Sequence, residues 1–232
     1  MSAEGGAPTA APETSAPLPG TFITFEGGEG TGKSTQIRLL AEKLEAAGLA
    51  VRVLREPGGT VVGEAVRRIL LDPDHAELCV SAEILLYEAS RAQLVDQVIR
   101  PALAGGEVVL CDRFYDSTTA YQGHARGIDL GRIAELNRAA TGGLVPDRTL
   151  VLDIDPVVGI ARATAESTDR LESEDLAFHT RVRDGFLAIA AQEPARVRVV
   201  DASGTAEQVA QRVTAALADL AALARPLGGE SR

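Results

Sequence analysis

The chain has 232 residues, a formal charge of −10 and a pI near 4.9, enough for one medium α/β domain with a sizeable core. Its acidity and lack of a basic face exclude a nucleic-acid polymer as partner. Two distant cysteines, Cys79 and Cys111, exclude a disulfide framework and fit a reducing, cytoplasmic setting. The three histidines have no metal-ligand spacing, no apolar run reaches membrane-spanning length, and the first residues lack the pattern of a signal peptide.

Met1 to Pro19 is rich in Ala, Pro, Thr, Ser and Gly and cannot bury enough apolar surface to offset its ordering entropy, so residues 1–19 are expected to be a disordered tail. Thr21 to Glu26 reads as the first strand. Next comes Gly27-Gly28-Glu29-Gly30-Thr31-Gly32-Lys33-Ser34, which matches the phosphate-loop template G-x-x-x-x-G-K-S/T and opens a helical pattern through Ile37, Leu40, Ala41 and Leu44, closed by Gly48. The glycines let backbone N–H groups turn around a phosphate, and the helix N-terminus adds partial positive charge there. Lys33 would reach the outer phosphates and the Ser34 hydroxyl would coordinate magnesium.

Ala50 to Leu54 reads as a second strand of buried type, followed by the breaker Arg55-Glu56-Pro57-Gly58-Gly59-Thr60. A loop at a strand's C-terminal end is where open α/β sheets place ligand groups. Val62 to Leu71 and the long stretch Ser81 to Ala104 read as helices, and Glu107 to Cys111 as a third, fully buried strand. It delivers Asp112 and Arg113. Asp112 there can organise magnesium and Arg113 can hold a phosphate, although the pair alone reads equally well as a surface turn. Helical patterns at Asp116 to Tyr121 and Leu130 to Ala140, a strand Arg148 to Asp153, and a helix from Asp155-Pro156 follow. After a polar, charge-dense segment from Ala163 to Asp175, helix resumes through Phe178 to Ile189. A fifth strand, Arg196 to Val200, and a last helix from Ala206 to about Leu223 complete the domain, leaving residues 224–232 as a flexible tail. Strands alternating with helices imply a parallel sheet with right-handed crossovers.

Six segments stand out: the loop Gly27 to Ser34, Arg55 to Thr60, Tyr87-x-x-x-Arg91, Asp112-Arg113-Phe114-x-x-Ser117-Thr118-x-Ala120-Tyr121-Gln122, Leu152-Asp153-x-x-Pro156 and Asp169-Arg170-Leu171-Glu172. Together they resemble the bacterial thymidylate kinase family of P-loop nucleoside monophosphate kinases. They stand in the family's order over roughly Thr21 to Leu217. The resemblance implies a three-layer fold with a five-stranded parallel sheet and a mobile lid at about 163–175. It implies transfer of phosphate from ATP–Mg to dTMP, giving dTDP, by a homodimer formed through the long helices.

By the same resemblance, Gly27 to Ser34 with Thr35 and Arg162 would bind ATP. Tyr87 would stack on thymine, which is worth about 1–3 kcal/mol; Arg91, one turn on, would contact the base and help hold the monophosphate. Arg55 and Arg113 would form the monophosphate clamp, Tyr121 would crowd C2′ of the sugar, and Glu29 would lie near the 3′-hydroxyl. Thr118 and Gln122 would make base-edge or sugar contacts. Ser34 and Asp112 would hold the metal. Arg67 matches a family arginine but fits a solvated helix face as well, and Asp201 to Thr205 resembles the loop bordering adenine but also fits a helix N-cap. Family members carry a catalytic arginine either in the phosphate loop or in the lid. Here the loop has none, so Lys33 and Arg113 are expected to act with Arg170 of the lid.

Another nucleotide kinase, or a non-catalytic P-loop module, remains compatible with these motifs. A guanine-specific switch protein does not, because lysine occurs only at 33 and 43 and Asn-Lys-x-Asp is missing.

Overall fold

The computed structural model describes residues 18–75, 77–163 and 174–228. Five strands form one parallel sheet in the order β2-β3-β1-β4-β5: β1 (Thr21–Glu26), β2 (Val51–Arg55), β3 (Val108–Asp112), β4 (Arg148–Asp153) and β5 (Val197–Asp201). The central β1 pairs with β3 at Thr21↔Val108 through Phe25↔Asp112, and with β4 at Ile23↔Arg148 through Glu26↔Val151. The chain leaves β1 toward one edge and later returns to build the other. The C-terminal ends of β1, β2 and β3 therefore converge at the point where strand order reverses, the ligand-binding crevice of open α/β sheets.

Side chains alternate across β1. Ile23 and Phe25 enter a core with Leu40 and Leu44 of α1 (Lys33–Ala46), Leu150 and Leu152, and Val209 of α9 (Ala206–Ala216). Phe22 points the other way, to Val109, Phe114 and Leu94 of α3 (Val80–Leu94). A third cluster joins Tyr121 and Val151 to Phe178, Val182 and Phe186 of α8 (Leu176–Gln192). The remaining helices are α2 (Val61–Leu71), α4 (Arg100–Ala104), α5 (Tyr115–Thr118), α6 (Leu130–Thr141), α7 (Pro156–Ala163) and α10 (Ala221–Gly228).

Three features differ from the expectation. The second strand is not buried: it lies at a sheet edge, and Val53 is 53% exposed. The long stretch starting at Val80 is interrupted by a π-helical turn, Val95–Ile99, across which the Arg100 N–H reaches the Val95 carbonyl. Pro101 follows directly; a proline lacks the N–H and crowds the carbonyl one turn back, so a widened turn accommodates it. Finally, the last helix breaks after Ala216 and α10 follows. Leu223 is fully buried and Leu227 nearly so, which makes residues 224–228 part of the packed domain rather than a tail. Residues 1–17 and 229–232 of the expected tails, and residues 164–173 of the expected lid, lie outside the described residues.

Candidate active site

The phosphate loop leaves β1 with Gly27 at φ 131°, where a Cβ would sit 2.4 Å from the Leu152 carbonyl oxygen. Gly30, at φ 62°, would place a Cβ 2.0 Å from the Gly159 carbonyl oxygen of α7. Both positions thus demand glycine for backbone conformation and for space. Gly32, at φ 86°, is the N-cap of α1, so the loop ends by presenting that helix's first N–H groups. Lys33 is buried and curls back, its Nζ donating to the carbonyls of Gly28 at 2.9 Å and Gly27 at 3.3 Å. Burial lowers its pKa, a trend that Arg113 reinforces and Glu29 and Asp112 oppose.

The end of β3 supplies the facing wall. Arg113 adopts φ 69°, a left-handed conformation uncommon outside glycine. Its guanidinium donates to Glu29 Oε1 at 2.6 Å, the Gly27 carbonyl at 3.0 Å and Ser117 Oγ at 3.3 Å, and lies 5.1 Å from the Tyr121 ring centroid. Tyr121 Oη donates to the same Glu29 oxygen at 2.9 Å. Burial opposes ionisation of Glu29, but Arg113, Lys33 and the Tyr121 hydrogen bond outweigh it and hold the carboxyl at about 2. Glu29 is therefore an anion locked between loop and wall, not a solvent-facing filler.

A cavity of about 480 Å³ runs between these parts. From Glu29 to Thr35 the loop lines one end, whereas Gly27 and Gly28 turn their carbonyls to Lys33 and lie outside it. Arg55, Tyr87, Arg91, Thr118, Tyr121 and Gln122 line the rest, with Asp112 and Arg113 between and Arg162 at the α7 rim. Arg170 lies outside the described residues, and the Asp201–Thr205 loop is not among those lining the cavity. There Thr205 forms a capping box with Gln208. Arg67, left open by sequence, lines the cavity and donates to the Pro57 carbonyl at 2.9 Å.

Thymidylate kinase is the family model this chain matches, over residues 25–213. The chain belongs to that family. It is 54% identical to a thymidylate kinase of Synechococcus sp. (strain JA-3-3Ab), over 88% of this chain and all of the relative. It is 50% identical to that of Syntrophotalea carbinolica, over 83% of this chain and 92% of the relative. A crystal structure of thymidylate kinase from Ehrlichia chaffeensis superposes with a TM-score of 0.71 at 38% identity, covering 85% of this chain and 98% of that one. The five-stranded parallel sheet expected from the resemblance is the observed fold.

Within this thymidylate kinase fold the side chains that line the far end of the cavity are held unequally. Arg91 is 1% exposed and donates through Nε to Glu56 at 2.9 Å, through Nη1 to Glu88 at 2.6 Å and Asn137 at 3.3 Å, and through Nη2 to Thr118 Oγ1 at 3.0 Å. That occupies four of its five N–H groups, leaving one on Nη2. Arg55, by contrast, is half-exposed and pairs with Glu64 at 3.1 Å. Tyr121 and Gln122 sit on a second π-helical turn, Thr119–Ala125, and Gln122 donates to Glu83 at 2.7 Å.

Two carboxylates escaped the sequence reading. Glu26 ends β1 fully buried, accepting from the Phe114 N–H at 2.7 Å and from Ser117 Oγ at 2.5 Å. Burial, and next Asp116, raise its pKa to about 8. Glu56 lines the cavity beside Arg91, and burial raises it to about 7. Glu26 closes an otherwise apolar strand, but that position alone does not tell a buried carboxylate from a surface one, and Glu56, in the breaker after Arg55, carries no such mark. Cys111 is buried, and burial pushes its thiol well above the usual range, which fits a strand residue rather than a nucleophile.

Among the described residues no group of three or more His, Cys, Asp or Glu could hold a metal by itself. Ser34 Oγ does donate to Asp112 Oδ2 at 3.0 Å where both line the cavity. A hydroxyl and a carboxylate meeting at that point fit a hard divalent cation that takes the rest of its shell from phosphates and water.

Proposed function

We propose that the protein transfers the γ-phosphoryl group of ATP to the 5′-phosphate of dTMP, releasing ADP and dTDP. The observation that carries the reading is the single cavity joining the phosphate loop to a pocket of arginines, Tyr87 and Tyr121, with Glu29, Arg113 and Tyr121 at the junction. A phosphate oxygen of dTMP attacks the γ-phosphorus as the bond to the bridging oxygen of ADP breaks, with no covalent intermediate on the enzyme. Such a step needs positioning and charge neutralisation above all.

In this reading Lys33 leaves the Gly27 and Gly28 carbonyls for the β- and γ-phosphates, and the loop from Glu29 to Thr35 cradles them, with Arg162 at the rim. Ser34 and Asp112 hold Mg2+, which when bound draws charge from the phosphates. Arg113 and Arg55 hold the acceptor phosphate, where the planar guanidinium favours two-point contact. Tyr87 stacks on the base; Thr118, Gln122 and the remaining N–H of Arg91 meet its edge. Tyr121 crowds C2′ and Glu29 stands by the 3′-hydroxyl. Arg170 of the lid brings further positive charge to the transferring group.

We also propose a homodimer. Val61 is 89% exposed, and Val62 and Leu85 at least half so, on α2 and α3, which pack along each other, and a second copy seated on these helices would cover them. Work in the cytoplasm is supported by two free cysteines and by the lack, among the described residues, of a helix long and apolar enough to cross a membrane.

The test is ADP release with ATP and magnesium, with and without dTMP, beside dUMP, dCMP, dGMP and thymidine. The reading expects dTMP to be the best acceptor by kcat/KM. Faster turnover of any other acceptor, or no acceptor-dependent ADP release, overturns it.

A further inference from the structure

Gln122 sits on the π-helical turn at the cavity wall, and its amide can face the base edge in either of two orientations. One presents the carbonyl, an acceptor; the other presents the NH2, a donor. The two select opposite partners. A pyrimidine with a protonated N3 and a carbonyl at C4 fits an acceptor at N3, whereas cytosine offers a bare N3 and an amino group. Something must fix the orientation, because a freely flipping amide would accommodate both.

We infer that Glu83 is a specificity-determining positioning residue that locks the Gln122 amide with its carbonyl toward the cavity. This rests on the function proposed above. Glu83 lies on α3 and is 1% exposed. Its Oε1 is 2.7 Å from the terminal atom of Gln122 and 3.2 Å from Arg126 Nε. A carboxylate beside a guanidinium accepts hydrogen bonds and does not donate them. The Gln122 atom facing it must therefore be Nε2, and the opposite end of the amide, Oε1, is left for the cavity.

A neighbouring device works in the same sense. Arg91 Nη2 donates to Thr118 Oγ1 at 3.0 Å, so the Thr118 oxygen is used as an acceptor and its own proton is available to the ligand. Thr118 as donor beside Gln122 as acceptor is the complement of a C4 carbonyl beside an N3–H. Glu83 touches no substrate in this scheme. It acts through Gln122, and Arg126 holds it while also pairing with Glu174 at 3.0 Å and stacking over Phe178.

Glu83→Gln is the decisive variant, since a glutamine can donate or accept and so releases the constraint. Values of kcat/KM for dTMP, dUMP and dCMP are compared in wild type and variant. dUMP has the same edge as dTMP and differs by the methyl group, so it reports general damage to the pocket. The expected result is a fall of about tenfold or more in the dTMP/dCMP ratio with the dTMP/dUMP ratio held. An unchanged dTMP/dCMP ratio overturns the inference, and so does a parallel fall of both ratios. If Glu83→Gln does not unfold cooperatively, Glu83→Asp decides by the same two ratios, because it withdraws the carboxylate from Gln122 while keeping a negative charge beside Arg126. A wild-type protein without dTMP-dependent ADP release sinks the proposed function and this inference together. An active wild type with unmoved ratios in the variant sinks this inference alone.

Discussion

Arg113 shows how much local chemistry one residue can require. Its left-handed backbone is stabilised by Glu26, which accepts the next residue's N–H and the Ser117 hydroxyl, and this aims the guanidinium at Glu29 and the loop. Glu26 should leave a signature in stability. Its carboxyl titrates near 8 in the folded protein against an ordinary 4.5, so between those values the folded state holds a proton the unfolded state has lost. Its contribution therefore falls as pH rises from 4.5 to 8. Glu29 has the opposite sign: held at about 2, it contributes above 4.5 and loses that contribution as pH falls toward 2. Thermal midpoints of Glu26→Gln minus wild type are expected to increase between pH 5 and pH 8; a constant difference would refute the buried-proton account. Lys33→Ala removes the cation proposed to move onto the transferring phosphates, and kcat should drop by about 10² to 10³, the scale for losing such a group. Retention of near wild-type turnover would show that the loop has another task.

At the level of elements, the sequence was most informative where one physical signal dominated. The strand–loop–helix from Thr21 through Ala46 was legible because the template's two glycines, Gly27 and Gly32, both require positive φ, and Gly27 also meets a close carbonyl, so the template records a backbone requirement. Glu26 and Glu56 were not legible as site residues. Their role depends on which side chains fold over them, and nothing in a linear pattern distinguishes a buried carboxylate from a surface one. The edge position of β2 was hidden for a related reason: strand order is a property of the whole sheet, and a short apolar run reads alike at centre or edge. The last helix was read only as far as about Leu223, without its break after Ala216 and without the continuation past Pro226, a residue that argues against a helix even though Leu223 and Leu227 keep helical spacing. Its packing can be measured. Leu227→Ala should destabilise the fold by about 2 kcal/mol or more, the lower end for Leu→Ala in a core. A change within about 0.5 kcal/mol in urea unfolding would mean that α10 is an ornament.

For the molecule as a whole, charge is distributed against the trend of its composition. The protein carries −10, yet six cationic side chains and three carboxylates line its principal cavity. Anions are thus repelled by most of the surface and favoured at one opening, the arrangement that concentrates a charged substrate where it is used. The outer faces of α2 and α3 should bring two copies together. Sedimentation equilibrium is expected to give twice the 24.2 kDa chain mass, reduced to one chain mass by Val61→Asp; a monomeric wild type would remove the dimer. The inward glutamates have a different consequence. Arg91 and Arg113 each already grip a carboxylate at 2.6 Å. An incoming anion must win that guanidinium in competition with a tethered rival whose effective concentration never dilutes. A lone phosphate or sulfate ion has one contact with which to do so, whereas a nucleotide spreads the displacement over base, sugar and phosphate. Competition of this kind favours a nucleotide over a small anion, and millimolar inorganic phosphate is expected to inhibit dTMP-dependent ADP release only weakly.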